Sequence, residues 1–288
     1  MSCWRRSIRR SHVDHGGFST TELLVGTLVT ILAVTATSGF FLASNRQVRS
    51  QLHGIETSQA ARSVTDVIVR DLRLSGACLP ETGRFIALEG ADGGERDEIV
   101  TRTGLLQPAS CVQTSLRQFA TAGSQTLYVE QVDGFQSGMR VYLRNGTGDG
   151  EYIEVSSIDS TDGTLSVDGI LAASYPKTSG VYAVSERRFY VSDAATPLPS
   201  TPQLMMQVDG GEPTPFAAGI EKLDFRYQLA RNCPPCDTVD LPQGEEEWSI
   251  VDQVFVTVTA RSETTDPEGE FYRRTITLGV KPRNLRPR

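Results

Sequence analysis

The chain has 288 residues, 39% of them hydrophobic, with 28 basic and 35 acidic side chains and a net charge of −7. That length suffices for one large domain or two small ones. The acidic balance argues against general nucleic-acid binding, because phosphate contacts need a surplus of Lys and Arg.

Residues 1–17 carry Arg5, Arg6, Arg9 and Arg10 and end at Gly17, followed by Phe18-Ser19-Thr20-Thr21-Glu22. Residues 23–45 hold no charge at all. That run exceeds the roughly 18 apolar residues that suggest a transmembrane helix. The arginines before it would stay in the cytoplasm by the positive-inside rule. Glu22 is the anomaly, since a carboxylate at membrane depth costs about 2.5–3.5 kcal/mol on insertion scales and calls for a partner. A secretory signal peptide has a shorter apolar region, about 7–15 residues, and ends at a small-residue cleavage site. A plain membrane anchor explains the length and the arginines but not Glu22 beside Gly17-Phe18.

A basic leader ending in glycine, then Phe, then a glutamate as the fifth residue from that Phe, then a long apolar helix, resembles the processing signature of type IV pilins and type II secretion pseudopilins. The resemblance implies that a membrane prepilin peptidase cuts after Gly17 and methylates the new N-terminus at Phe18. It also implies that Glu22 pairs with the terminal amine of a neighbouring subunit in a filament. Physical logic agrees, because a buried acid facing a buried amine offsets part of the desolvation each would suffer alone. Removal of residues 1–17, with four arginines and one aspartate, would take the net charge from −7 to −10.

Residues 45–76 continue the helical pattern with no proline and a single interior glycine, Gly54, before Gly76. Val48, Leu52, Ile55, Val64, Ile68 and Leu72 recur at mostly helical spacing among interleaved charges, so this half is amphipathic and should lie on a sheet. Gly76 is a plausible stop, with Pro80 beyond it. Gly26 and Gly39 are weak points where a bend is permitted. The organisation expected is a leader (1–17), a transmembrane half-helix (18–44), an amphipathic half-helix (45–76) and a β-rich periplasmic or extracellular head (77–288).

With Cys3 in the leader, four cysteines remain for the far side of the membrane, an even number that suggests disulfides. Four allow three pairings, of which Cys78–Cys111 with Cys233–Cys236 is preferred. Cys78 follows the helix terminus and Cys111 ends the next short stretch, so that bridge would pin the first loop to the helix. Cys233-Pro234-Pro235-Cys236 has the spacing of a thiol-disulfide oxidoreductase. Such a site needs a helix N-terminus to lower the thiol pKa, whereas Pro-Pro favours a loop, so a structural clip is preferred. Zinc is disfavoured, as no histidine follows His53.

Beyond Gly76 the pattern turns to short alternating runs typical of antiparallel sheet. Residues 85–88 and 97–101 are the first candidates. A Gly-rich block, 121–185, reads as a β-rich insertion with strands at 126–131, 139–143, 152–158, 164–168 and 181–186. Turn dipeptides (Asp133-Gly134, Asn145-Gly146, Asp149-Gly150, Asp162-Gly163) separate them. Its Asp and Gly loops resemble calcium loops without matching their spacing, and turn chemistry explains them. Residues 194–202 and 210–215 read as Pro-rich connections. The last strands alternate clearly, with Leu223, Phe225, Tyr227 and Leu229, then Val254, Val256, Val258 and Ala260, then Ile276, Leu278 and Val280 each forming an apolar face. A long helix against such faces makes one α+β core.

Residues 219–227 (Gly-Ile-Glu-Lys-Leu-Asp-Phe-Arg-Tyr), Trp248, residues 254–260, Tyr272-Arg273-Arg274 and Arg283-Asn284-Leu285 are similar to the C-terminal half of PilW-type minor pilins, and to J-type minor pseudopilins. The partners this implies are other pilins and minor pilins, the prepilin peptidase and an inner-membrane assembly platform, with no cofactor or metal. Localisation would be a single inner-membrane pass, with the head exposed after assembly. The basic end (Lys281, Arg283, Arg286, Arg288) reads as a solvated tail.

No catalytic constellation stands out. His12 and His15 lie in the leader, and His53 on the helix has no evident triad or metal partners. Phosphate loops and nucleophile elbows are missing from the sequence. Asp97-Glu98 and Glu245-Glu246-Glu247 read as solvated loop charges. The expected function is therefore a non-enzymatic minor pilin. The alternatives are a minor pseudopilin of type II secretion, and a membrane-anchored envelope protein using Cys233 and Cys236 for redox chemistry.

Overall fold

A computed structural model describes residues 19–80, 85–105, 110–146, 148, 150–193, 201–231, 233–266 and 268–285. The fold is α+β: a long N-terminal helix followed by antiparallel sheet with a β-rich block. The chain divides into two compact units, Met1–Leu52 and His53–Arg288, described in turn.

In the first unit, helix α1 (Thr20–Leu74) starts one residue after Ser19, whose carbonyl accepts the N–H groups of Glu22 and Leu23. Its stretch Thr20–Asn45 is long and apolar enough to cross a membrane, with mean hydropathy 1.9. The polar residues inside that stretch do not spoil it. Thr27, Thr30, Thr35 and Thr37 each donate a hydroxyl to a backbone carbonyl three or four residues back. Their donors are thus satisfied within the helix, as a lipid environment demands. The helix also runs through Gly26 and Gly39 without a break.

In the second unit, the rest of α1 buries Thr57, Ala61, Val64, Thr65, Ile68, Val69 and Leu72, a single helical stripe. Ile55 shares the periodicity but is 54% exposed, so within this unit the buried stripe begins at Thr57. Gly76 ends the helix in the left-handed conformation (φ 81°), which costs glycine nothing. Its N–H donates to the Arg102 carbonyl, and Ser75 Oγ donates to the Ala87 carbonyl. The amide of Asn284 reaches the orphan carbonyls of Arg73 and Ser75.

The larger sheet has ten strands. Strands β1 (Leu88–Ala91), β2 (Glu98–Gly104), β3 (Gln113–Ser115), β4 (Thr126–Tyr128), β5 (Arg140–Arg144), β6 (Gly150–Asp159), β7 (Thr164–Asp168), β8 (Gly180–Asp193), β9 (Pro202–Val208) and β10 (Thr214–Ala218) all pair antiparallel. Strand β8 is the spine. Its first residues pair with β3 and β5, and its later ones with β2 and β9. The second sheet runs β12 (Thr238–Val239), β11 (Ile220–Leu229), β13 (Val251–Thr265), β14 (Phe271–Val280), with the short helix α2 (Gly244–Ser249) before β13.

Among the described residues this layout gives two large cores and a small third one of Leu79, Tyr142 and Val184. The first packs the helix stripe against Leu88, Ile99, Phe189 and Leu204 of the large sheet and Leu223, Phe225, Tyr227, Val254, Val256 and Val258 of the small one. The second is built mainly by the inserted block, together with Val112, Leu116 and Ala120 just before it. Asp97 joins the sheets. Its carboxylate accepts the N–H groups of Gly93 and Phe225, at 3.0 and 2.8 Å. Only 4% exposed, Asp97 is not the solvated loop charge expected; burial pushes its carboxyl up while those two N–H groups pull it down.

Three further expectations need correction. Of the first expected connection, residues 194–200 lie outside the described residues and Pro202 opens β9; Thr214 and Pro215 of the second already belong to β10, with Pro215 on an edge strand beside a bulge, where proline is tolerated. On β14 only Val280 is buried; Leu278 is 43% exposed, because this strand is the sheet's outer edge. Lys281 is no free tail charge, as its ammonium lies 2.6 Å from Asp252.

An ion-pair cluster spans the small sheet: Glu221 of β11 accepts two hydrogen bonds from Arg273 of β14, at 2.6 and 3.1 Å. Those bonds hold the Glu221 carboxyl below its ordinary value. A depressed carboxyl contributes stability above its unfolded pKa, about 4.3, and loses it as pH falls through the folded value. Glu221→Gln should therefore lower the unfolding free energy from urea titration at pH 7, by under about 1 kcal/mol for so exposed a pair. The gap from the parent chain should close at pH 3; a gap unchanged from pH 7 to pH 3 would contradict this role.

Candidate functional site

Gly17 and Phe18 lie outside the described residues. Glu22 sits in the first turn of α1 and is exposed. Among the described residues no side chain pairs with its carboxylate. Its neighbours along the helix, Leu23, Leu24, Val25, Leu28, Val29, Ile31 and Leu32, are each about 60% exposed. No part of the 18-residue window that marks the candidate span is buried within the chain. The described part of the first unit thus presents an exposed apolar helix surface with one acid near its start that no described side chain pairs. Such a surface is costly in water, by about 25 cal/mol for every Å² of apolar area, which is consistent with a single-pass membrane anchor.

The four cysteines form two disulfides, Cys78–Cys111 at a sequence separation of 33 and Cys233–Cys236 at a separation of 3. Cys78 follows the helix stop and packs so tightly on β2 that a Cβ at Gly104 would lie 2.6 Å from both Cys78 Cβ and its carbonyl oxygen. Only glycine admits that approach. The Gly104 N–H donates to the Ala77 carbonyl at 2.7 Å, so the bridge reinforces a junction between helix end and sheet that is already hydrogen-bonded. Cys233 and Cys236 lie in the bend between β11 and β12, and neither stands at a helix N-terminus. The thiolate-stabilising dipole of a redox CxxC site is missing there.

The remaining acid clusters are also engaged. Glu98 chelates the Arg188 guanidinium, and Glu247 accepts from Arg231 and from the Gln243 N–H. Sequence reasoning missed a second cluster where the inserted block meets the rest of the second unit. Arg102 there donates to Glu89 and Glu186 at 2.7 Å each, and Arg140 also pairs with Glu186. The Tyr152 ring lies 5.7 Å from the Arg102 guanidinium and 5.5 Å from that of Arg140, and it stacks with Phe85 and Tyr142. No periodicity could have found it, since its members come from five separate stretches. Its acids and bases are mutually paired, so it reads as an anchor for the block.

Compared with known proteins, the chain matches no protein-family model and no curated protein. The geometry therefore has to carry the functional reading. Its parts are one N-terminal candidate membrane-spanning helix and a disulfide-bonded β-rich unit.

Proposed function

We propose that this protein is a minor pilin: a structural subunit held in the inner membrane by α1 and drawn from there into a type IV pilus. The observation that carries this reading is Glu22, an acid without a partner among the described residues, in the first turn of an unburied apolar helix. An anchor needs only the apolar surface; the carboxylate is costly in lipid unless another group meets it. A neighbouring subunit's terminal amine is such a group, and the helix surface below it offers area for packing. In this mechanism helices associate side by side, Glu22 sets their register, and the β-rich unit is carried outward. A minor pseudopilin would use the same helix in the same way, and the two separate by whether deletion removes surface pili or protein secretion.

Processing tests the first step. Gly17→Glu should block cleavage, because a bulky charge cannot occupy the small pocket the signature implies, and the Arg-rich leader should remain attached. N-terminal sequencing of the variant that still began at Phe18 would contradict it.

A further inference from the structure

Apart from the assembly helix, the inserted block carries a polar cleft of about 560 Å³, within the roughly 300–1,000 Å³ of small-ligand sites. Strand β3, residues 130–131, the end of β5 and the 176–180 turn enclose it. Its walls are amides (Gln113, Gln131, Asn145) and hydroxyls (Thr114, Ser115, Thr178), with Tyr182 as the one aromatic group. Among the described residues that line it, Arg144 and Glu130 are the ionisable side chains besides that tyrosine, and their charges cancel.

Two details mark it as a built site. Ser179 is 3% exposed and lines the cleft, yet its Oγ has no hydrogen-bond partner among the described residues. A buried hydroxyl left unpaired costs about 1–3 kcal/mol; protein atoms cover this one, and a ligand at the wall that shifts the 176–180 turn would give it a partner. Beside it Thr178 holds φ 75°, a conformation that β-branched residues avoid and that persists only where surroundings enforce it. Those surroundings are the paired bonds from Thr178 N–H to the Leu116 carbonyl and from Leu116 N–H to the Ser179 carbonyl, both 2.9 Å.

The chemistry of the walls selects the ligand class. Amides and hydroxyls both donate and accept, which matches ligand groups that also do both. A phosphate would need cation excess and a metal would need grouped carboxylates, and neither is on these walls. We infer that this cleft binds a neutral saccharide, with Ser179 Oγ meeting one ligand hydroxyl and the Gln113 and Gln131 amides meeting others.

The test uses the full chain in a detergent without a sugar headgroup, applied to an array of neutral hexose and N-acetylhexosamine oligosaccharides beside uronate- and sulfate-bearing ones. Retention on at least one neutral class is expected. Ser179→Ala should weaken it at least fivefold, and Gln113→Ala with Gln131→Ala, both exposed positions, at least tenfold, each with unchanged thermal unfolding. No retention on neutral saccharides, retention on sulfated ones alone, or neutral binding indifferent to the Gln113/Gln131 double variant would overturn the assignment.

Discussion

Cys78→Ser is expected to lower the melting temperature of the β-rich unit by about 7–15 °C, and Cys236→Ser by only about 3–6 °C. The contrast comes from loop length. A bridge stabilises mainly by restricting the unfolded chain, and closing the 33-residue loop between Cys78 and Cys111 is worth about 3.7 kcal/mol on the chain-entropy relation. The same relation gives about 1.6 kcal/mol for the three-residue separation of Cys233 and Cys236. For a unit of this size each kcal/mol moves the midpoint by about 2–4 °C. The first bridge also sits where helix stop, β2 and Gly104 converge, so its loss frees a junction of the main core. Near-UV circular dichroism of the full chain on heating measures both variants. Equal losses, or a larger loss for Cys236→Ser, would contradict the ranking.

Glu22→Val should leave insertion into the membrane intact, and even favoured by about 2.5–3.5 kcal/mol for loss of an acid at membrane depth. It should nonetheless reduce the chain recovered with sheared filaments at least tenfold. The separation of these two outcomes is the useful feature, because a mere anchor would show the first without the second. Membrane fractionation and immunoblotting of the sheared fraction report them independently. Normal recovery of the variant in filaments would remove Glu22 from the assembly step.

The sequence made the long helix legible because an uninterrupted apolar run has few other uses. The strands at Leu223, Val254 and their neighbours were legible because period-two alternation marks a sheet with one covered face. What covers a face is a different question. Ile55 keeps the helical period of Val64, Ile68 and Leu72, yet only the latter are buried against the sheets. Leu278 alternates as well as Val280 does, but it lies on an edge strand. Strands β9 and β10 hid behind Pro202 and Pro215, since proline argues against a central strand and says nothing against an edge. Asp97 looked like any loop acid, because its burial depends on two N–H groups, one of them 128 residues away. The saccharide cleft was invisible for the same reason. Gln113, Gln131, Asn145 and Ser179 form no motif, and only the pairing of β3 and β5 with one strand, β8, brings them to one wall.

The central claim, that the chain becomes a processed filament subunit, is tested most directly by mass spectrometry of filaments sheared from cells that express it at native level. The account predicts N-terminal peptides beginning at N-methylated Phe18 in that fraction. A chain found only in the membrane fraction, with Met1–Gly17 still attached, would contradict it.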